Sequence, residues 1–312
     1  VDRPRPARRD ILRLGGLLIP AVAAPAVLSG CGTSPASSAG NVLRVSQSGD
    51  PKTMDPHKQG DMTSMNALIN MFDTLTTRGA DNLLHPRLAL TWTARGATTW
   101  RFTLRPGVKF HNGEAFDAAA VKFSIERVLD PATKSPIVEL RYVKDVTVVD
   151  PLTVDVHTTV HDPILPDKLS LFGGVVVPPR YLAAVGDTGF AERPVGTGPF
   201  TFVRWQRDHE LRMRAFAGHW QGRPHVDGLV FSPQPNPSSS LAALQSGQVD
   251  LVAGLTPDAA QQLDGYGGVR LDGYTGIRTS YLSLNTLADG PLKDRRVRQA
   301  LNHAVDVPLL IK

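Results

Sequence analysis

Trp100-Arg-Phe-Thr-Leu-Arg-Pro-Gly-Val-Lys-Phe-His-Asn-Gly113, followed by Ala118-Ala-Ala-Val-Lys-Phe-Ser124, is the stretch on which the reading of the fold turns. Trp100, Phe102 and Leu104 alternate with polar residues, the period of a strand with one buried face. Pro106-Gly107 turns the chain, and 108–113 reads as a short strand ending in an Asn-Gly turn. Asp117 then caps a helix over 118–129, with Val121, Ile125 and Val128 on one face and Pro131 as its stop. A strand, a turn and a capped amphipathic helix within thirty residues point to a mixed α/β domain.

The same alternation extends outward. Downstream, 146–149 and 152–156 read as a hairpin around Asp150-Pro151. Gly196-Thr-Gly-Pro-Phe200 reads as a tight loop feeding a strand over 200–205, paired with a second over 211–216. Further strands are expected over 226–231 and, buried, over 249–252. A short helix over 238–247, stopped by Gly247, lies between them. A helix and a strand are expected over 258–271. Upstream, 41–46 reads as a strand and 49–57 is rich in turn residues. The apolar spacing Met62, Met65, Leu68, Ile69 and Phe72 predicts a helix from 62 to 75, with Thr63-Ser64 at its start. No fixed-period repeat is present.

The chain has 312 residues, enough for two domains, and an ordinary apolar share of 41%. Its net charge of +5 is uneven. Five arginines and two aspartates fall within the first thirty residues, so most of the basic excess belongs there and the rest carries little net charge. That removes the main support for a nucleic-acid partner. Residues 1–31 have the three parts of an export signal: a basic start, an apolar run over 14–28 and the ending Leu28-Ser-Gly-Cys31. The apolar run is shorter than the roughly 20 residues a membrane-spanning helix needs. Arg8-Arg9 points to twin-arginine export. The ending resembles a bacterial lipobox, which implies a lipid on Cys31. Residues 32–41, rich in Gly, Ser and Ala, read as a flexible tether behind that anchor. Cys31 is the single cysteine, so no intrachain disulfide is available.

Taken in order, the motifs of the mature chain resemble the bacterial extracellular solute-binding proteins of family 5, the receptors of peptide and nickel ABC importers. The resemblance rests on Met54-Asp-Pro-His57, Phe72-Asp-Thr-Leu-Thr76, His85-Pro-Arg-Leu-Ala89 with Trp92, and the opening stretch. It continues through Gly196-Thr-Gly-Pro-Phe200, Trp220-Gln-Gly-Arg-Pro224, Leu244-Gln-Ser-Gly-Gln-Val-Asp250, and Asn285 with Asp294-Arg-Arg-Val-Arg-Gln-Ala-Leu301. It implies an α/β, periplasmic-binding-protein-like fold of class II, peptide-binding type. The first-lobe core would comprise 42–84 and 190–275, with 85–189 as an inserted subdomain. Residues 278–312 would begin a second lobe that is mostly absent, so that the chain is C-terminally truncated relative to the family.

The resemblance also implies where solute is met. Gln59, Gly60, Asp61 and Met62, just after Asp55-Pro-His57, would lie on the cleft wall and meet ligand backbone. Tyr281 and Asn285 would stand at the crossing into the second lobe. Tyr281 reads equally as strand packing, and Asn285 equally as a turn residue. Asp55-Pro56 reads first as turn chemistry. The sequence has no Gly-x-Ser-x-Gly elbow, no zinc-peptidase motif and no phosphate loop, so no catalytic residue, metal site or cofactor is expected. The nine histidines are scattered. The expected partners are a peptide or other small solute and the membrane permease subunits of an ABC importer, with the protein a monomer. The rival reading is a non-transporting surface lipoprotein whose half-cleft no longer closes on a ligand.

Overall fold

The computed structural model describes residues 40–263, 265–273 and 281–310. The expected export signal over 1–31, with Cys31, and most of the tether lie outside them. The tether's last residue is described: the Asn41 backbone N–H donates to Asp227 Oδ2 at 2.9 Å.

The strands are β1 (Val42–Gln47), β2 (Thr76–Arg78), β3 (Leu84–Pro86), β4 (Ala89–Ala94), β5 (Thr99–Leu104), β6 (Val143–Asp150), β7 (Thr153–Thr158), β8 (Phe200–Gln206), β9 (Glu210–Ala215), β10 (Gly228–Pro233) and β11 (Leu251–Val252). The helices are α1 (Met62–Leu68), α2 (Ala118–Leu129), α3 (Leu165–Lys168), α4 (Pro179–Glu192), α5 (Pro237–Gln245), α6 (Pro257–Gln261), α7 (Arg295–Ala304) and α8 (Val307–Leu310).

Two main sheets organise these elements. The first has the order β11-β1-β10-β9-β8. β1 lies parallel to both β10 and β11, with Val42 opposite Gly228 and Gln47 opposite Pro233. β9 pairs antiparallel with β10 and β8. One core forms on this sheet, where Val45, Met213, Leu229 and Phe231 meet Met54, Leu68, Met71, Phe72 and Phe190. The second sheet, β4-β5-β7-β6, is wholly antiparallel. Phe102, Leu104, Val146, Val154 and Val156 form a separate core with Val121, Ile125 and Val128 of α2. The period-two pattern around Phe102 and the apolar face of α2 thus bury each other. Asp117 caps α2 as expected, accepting from the Ala120 N–H at 2.9 Å.

Several local expectations are corrected. α1 ends at Leu68, not near 75, and its cap is Asp61, which accepts from the Ser64 N–H and Oγ, both at 2.9 Å. Beyond Leu68 the backbone leaves the helix to bond elsewhere. Asn70 O accepts from the Phe200 N–H at 2.9 Å and Met71 O from the Gly198 N–H at 3.0 Å. A Cβ at Gly196 would stand 2.1 Å from Met71 O, and one at Gly198 2.5 Å from Met71 C. Only glycine lets the two backbones approach so closely. The 108–113 segment forms a single bridge, Lys109 to Ala115, around a turn with Gly113 at φ 86°, and no longer strand. β11 is shorter than expected and lies at a sheet edge with Leu251 exposed. No strand forms in the described part of 258–271. α7 begins at an Asp294 cap and buries no residue. The hydrogen bonds and ion pairs of 285–309 that lie among the described residues are all internal to that stretch.

Candidate functional site: the Thr53–Met62 wall

The site is built on the turn after β1. Asp55 accepts from the His57 N–H at 3.0 Å, and Pro56 presets the first dihedral, so 56–58 close into one turn of 3₁₀ helix. Asp55 is fully buried, and its charge is met by Arg127 on the last turn of α2. The Arg127 fork donates to Asp55 Oδ1 at 3.1 Å and Oδ2 at 2.6 Å. It also donates to His57 Nδ1 at 3.0 Å and Asp187 Oδ1 at 2.8 Å. Asp187 follows the kink that Gly186, at φ 68°, makes within α4, and it takes Lys58 Nζ on its other oxygen at 2.6 Å.

These contacts fix the His57 proton. A guanidinium only donates, so Nδ1 is the acceptor and Nε2–H donates to Val175 O at 3.0 Å. Complete burial pushes the imidazole down to about 4, against the pull of Asp55. Lys58, and then Arg127, hold the Asp187 carboxyl below the usual carboxylate range. The Asp55-Pro56-His57 sequence is therefore a buried foundation, in keeping with its reading as turn chemistry.

The expected wall residues rise from this foundation. Gln59 is buried and points inward, its Nε2 donating to Thr53 O, while its Oε1 is buried without a partner among the described residues. Gly60 is exposed, and a Cβ there would stand 3.7 Å from Pro136 Cγ. Asp61 caps α1 and stands 3.9 Å from Lys52. Met62, 69% exposed, is the prominent apolar side chain. The loop is thus mixed: Gly60 and Met62 face solvent, whereas Gln59 and Asp61 are committed to holding it. Tyr281 is 81% exposed and lies outside any strand. Asn285 Oδ1 accepts from the Leu287 and Ala288 N–H groups at 3.0 and 3.2 Å, which makes it a turn residue. The wall lies near the carboxyl end of β1, where the position of a Gly49 Cβ would be 3.6 Å from Thr63 Cγ2. Open α/β sheets take ligands at such strand ends. Behind the loop, a cavity of about 540 Å³ between α4 and β8 is lined in part by Thr53, Lys58, Asp187 and Trp205.

The remaining sequence motifs converge on a second buried group. Asp73 accepts from Arg87 Nε at 2.6 Å, Thr197 Oγ1 at 2.9 Å and Trp220 Nε1 at 3.0 Å. Four separate motifs meet on that one carboxylate. The fifth, Phe110-His-Asn-Gly113, joins through His111. Its Nδ1 accepts from the Gly196 N–H at 3.3 Å, so Nε2–H donates to Gly198 O at 2.9 Å. Arg105 stacks on the Trp220 ring at 4.2 Å. In a further motif, Asp250 receives Arg44 Nε and Nη2 at 2.9 and 2.6 Å. The motifs are scaffold clamps more than ligand contacts. Among the described residues, no group of three His, Cys, Asp or Glu side chains is placed to hold a metal ion. None of the helices there is long and apolar enough to cross a membrane.

Residues 84–312 match the family described as bacterial extracellular solute-binding proteins, family 5 Middle. The chain belongs to that family. Family 5 members are solute-binding proteins and not enzymes. Among its relatives is the glutathione-binding protein GsiB of Pectobacterium atrosepticum, 30% identical over 264 residues, which cover 83% of this chain and 51% of GsiB. Among solved structures, the periplasmic binding protein DppA from Helicobacter pylori, in complex with the peptide STSA, superposes with a TM-score of 0.75. It is 27% identical, over 87% of this chain and 57% of DppA. NikZ from Campylobacter jejuni, in complex with Ni(L-His), gives 0.71 at 25% identity, over 85% and 53%. The chain therefore has the mixed α/β periplasmic-binding-protein fold of family 5, and it spans about half the length of the relatives it matches.

Proposed function

We propose that this chain is part of the extracytoplasmic solute receptor of an ABC importer, that its ligands are oligopeptides, and that a lipid on Cys31 anchors it to the outer face of the cytoplasmic membrane. The observation that carries the reading is the construction of the Thr53–Met62 segment. Gly60 and Met62 are open to solvent while Asp55, Pro56 and His57 beneath them are buried and Asp55 is ion-paired. A rigid, exposed backbone edge suits recognition through main-chain hydrogen bonds, which tolerates peptides of varied sequence. Relatives named for glutathione and a peptide support that class, since glutathione is itself a tripeptide.

Within this reading, 42–84 and 190–275 form the first-lobe core, 85–189 the inserted subdomain, and 278–312 the start of the second lobe. The separate sheets support that division, while Phe172, Val175, Val177 and Leu182 of the inserted range pack into the first-lobe core. Tyr281 contacts solute with its ring, and Asn285 with its side-chain N–H₂. Permease subunits receive the solute, and the receptor is a monomer. Isothermal titration with tri-alanine, glutathione and the nickel–histidine complex tests the ligand class. Saturable binding of either peptide is expected. Binding of the nickel complex alone would overturn the peptide reading. Labelling cells with a radioactive fatty acid tests the anchor: Cys31→Ala should abolish incorporation, and persistent labelling would refute it.

A further inference from the structure

We infer that Arg127 is the positioning residue of the solute-contacting loop, setting ligand affinity through Asp55 and His57 without touching the ligand. The inference rests on the proposed role of Gln59–Met62 as the cleft wall. Arg127 is remote in sequence from that loop and only 6% exposed, yet one planar group binds two of the four residues just before Gln59. The chain just beyond α2 supplies one more support: Ser135 Oγ donates to His57 O at 2.6 Å. The wall is thus referenced to the antiparallel sheet and its helix α2, although it springs from β1 of the other sheet.

Stability alone gives little reason for this arrangement. A buried ion pair is often matched by apolar side chains of similar volume, because both charges must first leave water. What the charges provide is geometry. The fork has five donors in fixed directions, and four of its contacts are occupied at 2.6–3.1 Å by two carboxylates and an imidazole. Two of the four contacts go to Asp55 and one each to His57 and Asp187. Lysine could carry the charge, but its ammonium has three donors for four contacts and no fixed planar fork. Main-chain recognition of a ligand needs the opposing backbone held to within about 0.5 Å. A wall carried on a free turn would lose affinity to ordering before it gained any from contact.

The test separates placement from folding. Tri-alanine and glutathione are titrated into the wild-type chain, Arg127→Lys, the double variant Asp55→Leu with Arg127→Met, and Met62→Glu as a probe of the wall itself. Urea unfolding and amide exchange are measured on each. The double variant should weaken binding at least tenfold, by more than any fall in its unfolding midpoint accounts for, and exchange faster at Gln59–Met62. Arg127→Lys should bind several-fold more weakly than wild type, with faster exchange at the same residues. Met62→Glu should weaken binding at least tenfold. If Met62→Glu weakens binding and the double variant binds like wild type, the positioning role is wrong and the wall reading stands. A double variant whose affinity falls only in step with its stability also overturns the role. If Met62→Glu binds like wild type, or the wild type takes neither peptide, the wall reading fails and the inference falls with it.

Discussion

Replacing Asp73 by alanine should be among the most damaging single changes to this chain. Asp73 is fully buried and takes the Arg87 guanidinium at 2.6 Å, with Thr197 and Trp220 donating at 2.9 and 3.0 Å. Removing one member of a buried ion pair typically costs about 3–5 kcal/mol, because the other charge is left unpaired. Two more donors lose their acceptor, at roughly 1–3 kcal/mol each when sealed from water. Arg87 and Trp220 are both partly exposed, so water recovers some of that cost. We expect about 4 kcal/mol for Asp73→Ala and about half for Asp73→Asn, which keeps an acceptor but not the charge. For a folded unit of this size, 4 kcal/mol is about 10 °C in melting temperature. Urea unfolding followed by circular dichroism measures it, with Asp272→Ala as control. Asp272 pairs with Arg270 on the open surface and should cost under about 0.5 kcal/mol. Adding Arg87→Met to Asp73→Ala should recover part of the loss, because the orphaned charge is gone. An Asp73→Ala variant within about 1 kcal/mol of wild type would refute the hub.

Three other outcomes follow from the geometry. The buried His57 titrates near 4, below its unfolded value of 6.5, so the unfolded chain binds more protons between those limits. Stability is then complete above 6.5 and falls with acid, by about 2 kcal/mol between pH 7.5 and 5 from this group. His57→Gln should flatten that part of the stability profile, and an unchanged slope would contradict the assignment. Asp117→Ala should cost about 1 kcal/mol through loss of the α2 cap, read from the same unfolding curves. Chymotrypsin should cut first after Tyr281 and Leu282, which are 81% and 85% exposed, before any site in β4–β7. Mass spectrometry of the early fragments checks this, and first cuts within the sheets would count against it.

How far the sequence could be read depended on how local each cause was. Asp117, the α2 periodicity and the alternation through Trp100, Phe102 and Leu104 act within a few residues, and they read correctly. α1 was over-extended because Phe72 falls at a helical spacing from Leu68 and Ile69. Its burial has another cause: the Asn70 and Met71 carbonyls bond to the Gly196–Phe200 loop, more than a hundred residues away. The apolar 249–252 run reads as buried, but β11 lies at a sheet edge, which four residues in sequence cannot reveal. Of the candidate site, the loop Gln59–Met62 was marked by resemblance, and the turn beneath it by Asp55-Pro56. Arg127 was not marked, since an arginine on an amphipathic helix reads as solvated surface until its partners are known. The motif around Asp73 was noticed, but its meaning lay in three partners brought together by the fold.

The central claim is that Gln59–Met62 receives the backbone of a peptide. Amide hydrogen exchange of the chain with and without saturating tri-alanine tests it residue by residue. The account predicts that protection on binding is concentrated at Gln59–Met62, with little change in β4–β7. Bound peptide that leaves those four residues exchanging as in the free chain would contradict it.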